Sequence, residues 1–239
     1  MKALIFVFLL IAAFHSQASV TYGQDFTSAG ISSFVYETPY VSEEVENTWS
    51  PFIALQYKNF FIRDMELGYQ FLTTYDYGAA VSLSGDELSK QRKGGSDAVN
   101  DGFNIKGSFS LYRQSGIYTL SAMQDISDVH GGNESTLSWL YSVRHSHLTW
   151  YPNIYASWMN AKLVEHYFSE DQDTVMSDAY KPSAGWRYGL GVTVDYHPTQ
   201  HWLFQTVVVN ERYSAGIINS PIVERSNAWL LAVNLGYYF

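Results

Sequence analysis

The chain has 239 residues, of which 15% are charged and 17% aromatic, with nineteen Tyr, no Cys and a formal net charge of −9. An ordinary soluble domain carries about 25% charged residues, and so acidic a balance excludes nucleic-acid binding, which needs a basic surface. Without cysteine, no disulfide framework holds the fold.

In chain order, Met1-Lys2 is a short positive stretch, and residues 3–14 form an unbroken apolar run. A membrane-spanning helix needs about 20 such residues. The shorter run fits the core of a secretory signal peptide. Ser16 and Ala18 have the spacing that signal peptidase requires. Cleavage is expected after Ala18, leaving Ser19 first in a single mature domain over 19–239, one unit more acidic once Lys2 is gone. No later stretch approaches 18 consecutive apolar residues. A membrane span must then be a closed barrel, since only helices and barrels satisfy every backbone group in lipid.

Period-two alternation runs through the rest. Phe103, Ile105, Gly107, Phe109 and Leu111 alternate with Asn104, Lys106, Ser108 and Ser110. Leu137, Trp139, Tyr141 and Val143 alternate with Ser138, Leu140, Ser142 and Arg144. Trp150, Ile154, Ala156 and Trp158 share a face of the next run. There Pro152, unable to donate a ladder hydrogen bond, predicts a bulge or a strand start. The sharpest pattern sets Trp186, Tyr188, Leu190, Val192, Val194 and Tyr196 against Arg187, Gly189, Gly191, Thr193 and Asp195. Aromatics at both ends of an apolar face are the girdle arrangement of a membrane strand. Gly185, Gly189 and Gly191 share the opposite face and signal packing room in a narrow barrel. The last strand runs Trp229, Leu231, Val233, Leu235, Tyr237, Phe239 on its apolar face.

Strands are expected to start near Ile31, Pro51, Phe60, Tyr75, Gly102, Gly116, Glu134, Leu148, Lys162, Ser183, His201 and Ser226. The predicted fold is all-β: a transmembrane antiparallel β-barrel of about twelve strands, with ten and fourteen as the bounds. With periplasmic termini, this count turns residues 86–101 toward the periplasm. There Lys90, Arg92 and Lys93, followed by Gly94-Gly95, form a candidate partner-binding loop. Lumen charges are expected at Lys106, Arg144, Arg187 and Asp195. They would either tune ion passage or close the lumen as internal salt bridges.

Other chemistry has weaker support. His145 and His147 are two apart at a hairpin tip, but two ligands do not make a metal site. Ser142, His145 and Ser146 could suggest an outer-rim lipid hydrolase. However, adjacent residues of a strand point to opposite faces, so His145 and Ser146 cannot pair. Asp125 with Asp128, and Asp171 with Asp173, could activate water, but solvated acidic loops are commoner. No catalytic, metal or cofactor residue is assigned.

Several segments carry a family resemblance: Tyr36 to Tyr40, Ser50-Pro51-Phe52, Tyr167-Phe168, Tyr180 with Gly185, the strand–turn–strand reaching Trp202, Ser220-Pro221-Ile222-Val223, and the ending Gly236-Tyr237-Tyr238-Phe239. Together they resemble the MipA/OmpV family of outer-membrane proteins over most of the mature chain. The pattern departs at Val41 and Ser42, where the family has a glycine after the early tyrosine. The resemblance implies an outer-membrane protein of Gram-negative cells without an enzyme active site. It implies a scaffold that bridges a lytic transglycosylase and a bifunctional peptidoglycan synthase, or else a role in osmotic response or adhesion. A narrow pore for ions or small solutes is the alternative. Val233, Leu235, Tyr237 and Phe239 resemble the terminal signal read by the barrel-assembly machinery. The expected partners are therefore the lipid bilayer, that machinery and the two cell-wall enzymes.

Overall fold

The computed structural model describes residues 25–37, 39–40, 46–63, 66–85, 102–169 and 183–239. The leader with Ala18 and Ser19, the stretch holding Lys90, Arg92 and Lys93, and Asp171, Asp173 and Tyr180 lie outside the described residues.

Alternating sequence becomes antiparallel strand along the described chain: β1 (Phe26–Glu37), β2 (Glu46–Tyr57), β3 (Phe60–Arg63), β4 (Glu66–Thr73), β5 (Tyr77–Gly85), β6 (Phe103–Arg113), β7 (Gly116–Asp125), β8 (Asn133–Leu140), β9 (Val143–His145), β10 (Leu148–Met159), β11 (Gly185–Tyr196), β12 (Trp202–Tyr213) and β13 (Asn227–Tyr238). Two helices interrupt them, α1 (Ala161–Phe168) and α2 (Ala215–Ile218). Each strand pairs with its neighbour in sequence, except that β8 and β9 both pair with β10, and β13 pairs with β1 from Glu37↔Trp229 to Ser28↔Tyr238. That last pairing closes the sheet into a barrel, the form in which strands leave no unpaired edge in lipid. Among the described residues no helix is long and apolar enough to cross a membrane.

β8 and β9 pair with β10 in one continuous register, Leu140↔Asn153 and Val143↔Trp150. They are two pieces of one stave, so the wall has twelve. The break between them is the work of Pro152. Its carbonyl accepts from Tyr141 N–H at 3.0 Å, but it has no N–H to return. In an antiparallel ladder each residue turns its N–H and C=O to the same neighbour, so only the β8 side loses a bond. Neither the expected bulge nor a strand start occurs, and β10 runs straight through the proline. Pro51 likewise lies inside β2 rather than at its start.

Twelve is the expected number, but two of its members differ. The strand expected near Lys162 is α1. Asn160 caps this helix, its side chain accepting from Leu163 N–H at 3.0 Å. The strand that replaces it in the count is β4, which carries a bulge between Gln70 and Leu72. That extra strand reverses the expected sidedness of residues 86–101. They leave β5 and enter β6, at the rim opposite both termini. This is the rim that also carries α1, α2 and the β1–β2 connection. The other rim has only short turns, at 58–59, 74–76, 114–115, 146–147 and 197–201. In outer-membrane barrels the short turns are periplasmic.

The exposed positions of the strands form the lipid face. Ile53, Leu83, Ile105, Leu120, Leu137, Ile154, Leu190 and Leu231 make its middle. Trp49, Phe103, Trp186 and Trp229 ring the outer level, and Tyr57, Tyr77, Tyr118, Trp150, Tyr196 and Trp202 ring the periplasmic level. Amphipathic rings at both depths match the two interfaces of a bilayer.

Candidate functional site: the plugged lumen

The outer mouth of the barrel is filled from within. α1 follows β10 and turns inward, burying Leu163, Val164, Tyr167 and Phe168. These meet Met123, Met159, Tyr213 and Ala228 from the outer ends of four strands, together with Tyr40, Ile217 and Val223. Two straps fasten the plug. Tyr40 Oη donates to the Tyr167 carbonyl at 3.1 Å, and Ser220 Oγ donates to the Phe168 carbonyl. A helix end leaves such carbonyls without intrahelical partners. The straps also bind each other. Tyr40 bridges Val223, Glu224 N–H donates to the Pro39 carbonyl at 2.9 Å, and Arg225 pairs with Glu37.

Below the plug lies a buried ionic cluster. Arg187 Nη2 is 2.9 Å from Glu134, and Arg187 Nη1 is 3.4 Å from Glu211. Glu211 also accepts from Tyr155 Oη and, at 2.8 Å, from Tyr213 Oη. The Arg187 guanidinium lies 5.7 Å from the centre of the Tyr155 ring. Nearer the periplasm, Gln205 Nε2 donates to Asp195 at 2.7 Å and Asn234 Nδ2 donates to Gln205 at 2.8 Å. Of the four expected lumen charges, Arg187 is buried and ion-paired, and Asp195 is buried and hydrogen-bonded to Gln205. Lys106 faces the lumen 3.7 Å from Glu66. Arg144 keeps the lumen parity of its stave but is exposed at the periplasmic rim.

Gly185, Gly189 and Gly191 fall on the lumen side as expected. A Cβ at Gly189 would stand 1.9 Å from the Tyr155 ring, and one at Gly185 would stand 2.7 Å from Ile217. Gly189→Ala is therefore expected to push Tyr155 off Glu211. Overpacking of this kind costs about 1–3 kcal/mol, readable as a lower urea midpoint of the folded barrel in detergent.

The remaining candidates fall elsewhere. Ser142, His145, Ser146 and His147 are exposed at the periplasmic β9–β10 turn, not at the outer rim that the lipid-hydrolase idea requires. Burial, with Arg144 beside it, holds the His197 imidazole below its ordinary pKa in the neighbouring turn. Asp125 is structural. Its two oxygens accept from Ser127 N–H and Oγ, His130 N–H and Gly131 N–H at 2.6–2.8 Å, which fixes the loop after β7. Asp128 is exposed with φ 60°, so the two do not form a water-activating pair. No group of three or more His, Cys, Asp or Glu able to hold a metal occurs among the described residues.

A closed wall with two aromatic rings, a lipid-facing apolar belt and a plugged lumen define an outer-membrane β-barrel protein. Within that class the chain belongs to the MipA family: the family model described as MltA-interacting protein MipA matches residues 29–239. The MltA-interacting protein of Escherichia coli (strain K12) is 22% identical over 238 residues, covering 94% of each chain. Outer membrane protein Omp26La of Vibrio anguillarum is 23% identical over 173 residues, 70% of this chain and 62% of that one. The chain therefore matches less than two thirds of Omp26La. Among solved structures, OmpT, an outer membrane protein of Vibrio cholerae, is 7% identical with a TM-score of 0.43, covering 93% of this chain and 100% of that one.

Proposed function

We propose that this protein is a structural scaffold of the outer membrane. It holds a lytic transglycosylase and a bifunctional peptidoglycan synthase against its periplasmic rim and catalyses no reaction itself. One observation carries the reading. Tyr40, Tyr167-Phe168 and Ser220 with Val223, which bear the family resemblance in sequence, meet in space to fasten the plug. Residues spent on closing a barrel fit a structural role better than a wide channel or a hydrolase. The name of the Escherichia coli relative records contact with MltA, and the same contact is proposed here. On this reading the chain is exported and cleaved after Ala18. The barrel-assembly machinery then reads the face formed by Val233, Leu235, Tyr237 and Phe239.

The contact surface on this reading is the set of periplasmic turns, not the stretch around Arg92, which leaves the opposite rim. A photo-crosslinking residue at His147 in intact envelopes is expected to capture the transglycosylase, identified by mass spectrometry. One at Arg92 is expected to capture neither enzyme. Capture from Arg92, with none from His147, Gln114 or Asn59, would overturn the assignment.

A further inference from the structure

Two neighbouring turns of the periplasmic rim gather four of the chain's seven histidines: His145 and His147 at the β9–β10 turn, His197 and His201 at the β11–β12 turn. β10 and β11 pair as far as Leu148↔Tyr196, and His197 N–H then donates to the His147 carbonyl at 2.9 Å. The two turns therefore lie side by side. The His197 ring stands 5.9 Å from that of Tyr238, and His201 stacks on Tyr237 at 5.6 Å with its Nδ1 3.1 Å from the Tyr238 carbonyl. Arg144 is exposed at the same place, as are His145, His147 and His201.

Side-chain charge in these turns has one sign. Neither turn contains Asp or Glu. Asp195, at the end of β11, is buried in the lumen and accepts from Gln205. The other titratable groups beside the patch are the Tyr151 and Tyr238 phenols and the Phe239 carboxylate. Elsewhere on this rim the charges are matched. Arg113 lies 3.2 Å from Asp76, and Asp25 accepts from Lys58 N–H at 2.7 Å. Arg144 has no ion-pair partner among the described residues. Imidazole takes up its proton between about pH 8 and pH 5. Acidification therefore adds up to four positive charges to the fixed one at Arg144, with His197 the last, because burial and Arg144 oppose its charge. The size of the patch selects among anionic partners. A stable protein interface needs about 20–30 residues a side, far more than two short turns supply. A small carboxylate-bearing peptide needs only such a site when a polymer presents it many times, since repetition supplies the avidity. The cell wall that faces this rim is a polymer of that kind.

We propose that Arg144, His145, His147, His197 and His201 form a site for the free carboxylates of peptidoglycan stem peptides, one that binds more tightly as the pH falls. This goes beyond the scaffold reading, since it needs neither cell-wall enzyme. The test sediments the full-length folded protein in neutral detergent with purified, protein-free sacculi at constant ionic strength. Heat-modifiable gel migration checks folding. The sedimenting fraction is expected to be at least threefold larger at pH 5.5 than at pH 7.5. Arg144→Gln should lower it at both values. The combined variant His145→Gln, His147→Gln, His197→Gln and His201→Gln should lose the rise, and sacculi with amidated carboxylates should bring down little protein at either pH. Equal sedimentation at both pH values overturns the proposal and leaves the patch to an acidic protein partner. A rise that survives in the four-histidine variant or on amidated sacculi overturns it as well. Because the sacculi carry no protein, this failure is separate from a failure to capture the transglycosylase in envelopes.

Discussion

Arg187→Met lowers the unfolding free energy of the barrel by about 3–5 kcal/mol, the usual loss when one partner is removed from a buried ion pair. The guanidinium stands between Glu134 and Glu211, and all three side chains are at most 6% exposed. The variant keeps the volume of the side chain but leaves two carboxylates facing each other with no cation between them. Tyr155 and Tyr213 already donate to Glu211 and cannot replace the lost charge. Urea unfolding in detergent, followed by tryptophan fluorescence, reads the loss. Arg187→Met combined with Glu134→Gln and Glu211→Gln should recover most of it, because well-packed neutral groups are often as stable as a buried ionic cluster. A single variant within 1 kcal/mol of wild type would mean that water reaches the cluster.

Leu163→Asp releases the plug without unfolding the wall. α1 has eight residues, fewer than the roughly 12–15 below which an isolated helix is marginal in water. Packing holds it, and Leu163 is fully buried at the centre of that packing. An unpaired carboxylate there cannot be accommodated, so α1 swings out and the outer mouth opens. Hydrogen exchange should rise sharply across residues 161–168 while the strands stay protected. Conductance of the folded protein in planar bilayers should rise at least tenfold. Faster exchange in α1 with unchanged conductance would show that something other than the helix seals the mouth.

Much of this architecture is legible from residue parity. β11 and β13 alternate without fault, so the face of β11 that carries Arg187, Asp195 and the glycines can be read from parity alone. β4 is hidden for two physical reasons. Its bulge puts Phe71 and Leu72 side by side on the lipid face, which breaks the period of two. The connection before it, Asp64-Met65, carries no Gly or Pro to mark a turn. α1 does leave a signal: Asn160 in the capping position, then Leu163, Val164, Tyr167 and Phe168 at helical spacing. A short apolar run flanked by strands reads more readily as another strand. The partners of Arg187 are another matter. Glu134 and Glu211 are 53 and 24 residues away, and only the closure of the sheet brings them together.

β3 has a consequence for the surrounding lipid. It contains four residues, about 13 Å of strand, between a twelve-residue β2 and an eight-residue β4. β2 is paired with it only from Ala54 to Tyr57, and among the described residues no other strand takes up that edge farther out. The two-residue turn makes Tyr57 and Phe60 a hydrogen-bonded pair, so alternate residues back to Pro51 turn their backbone polar groups toward β3. Pro51, with no N–H to leave bare, stands where that neighbour has already ended, which suits the edge position that proline tolerates. The barrel therefore presents an uneven hydrophobic thickness around its circumference. A bilayer meets a short wall by thinning, so the outer leaflet dips beside β3.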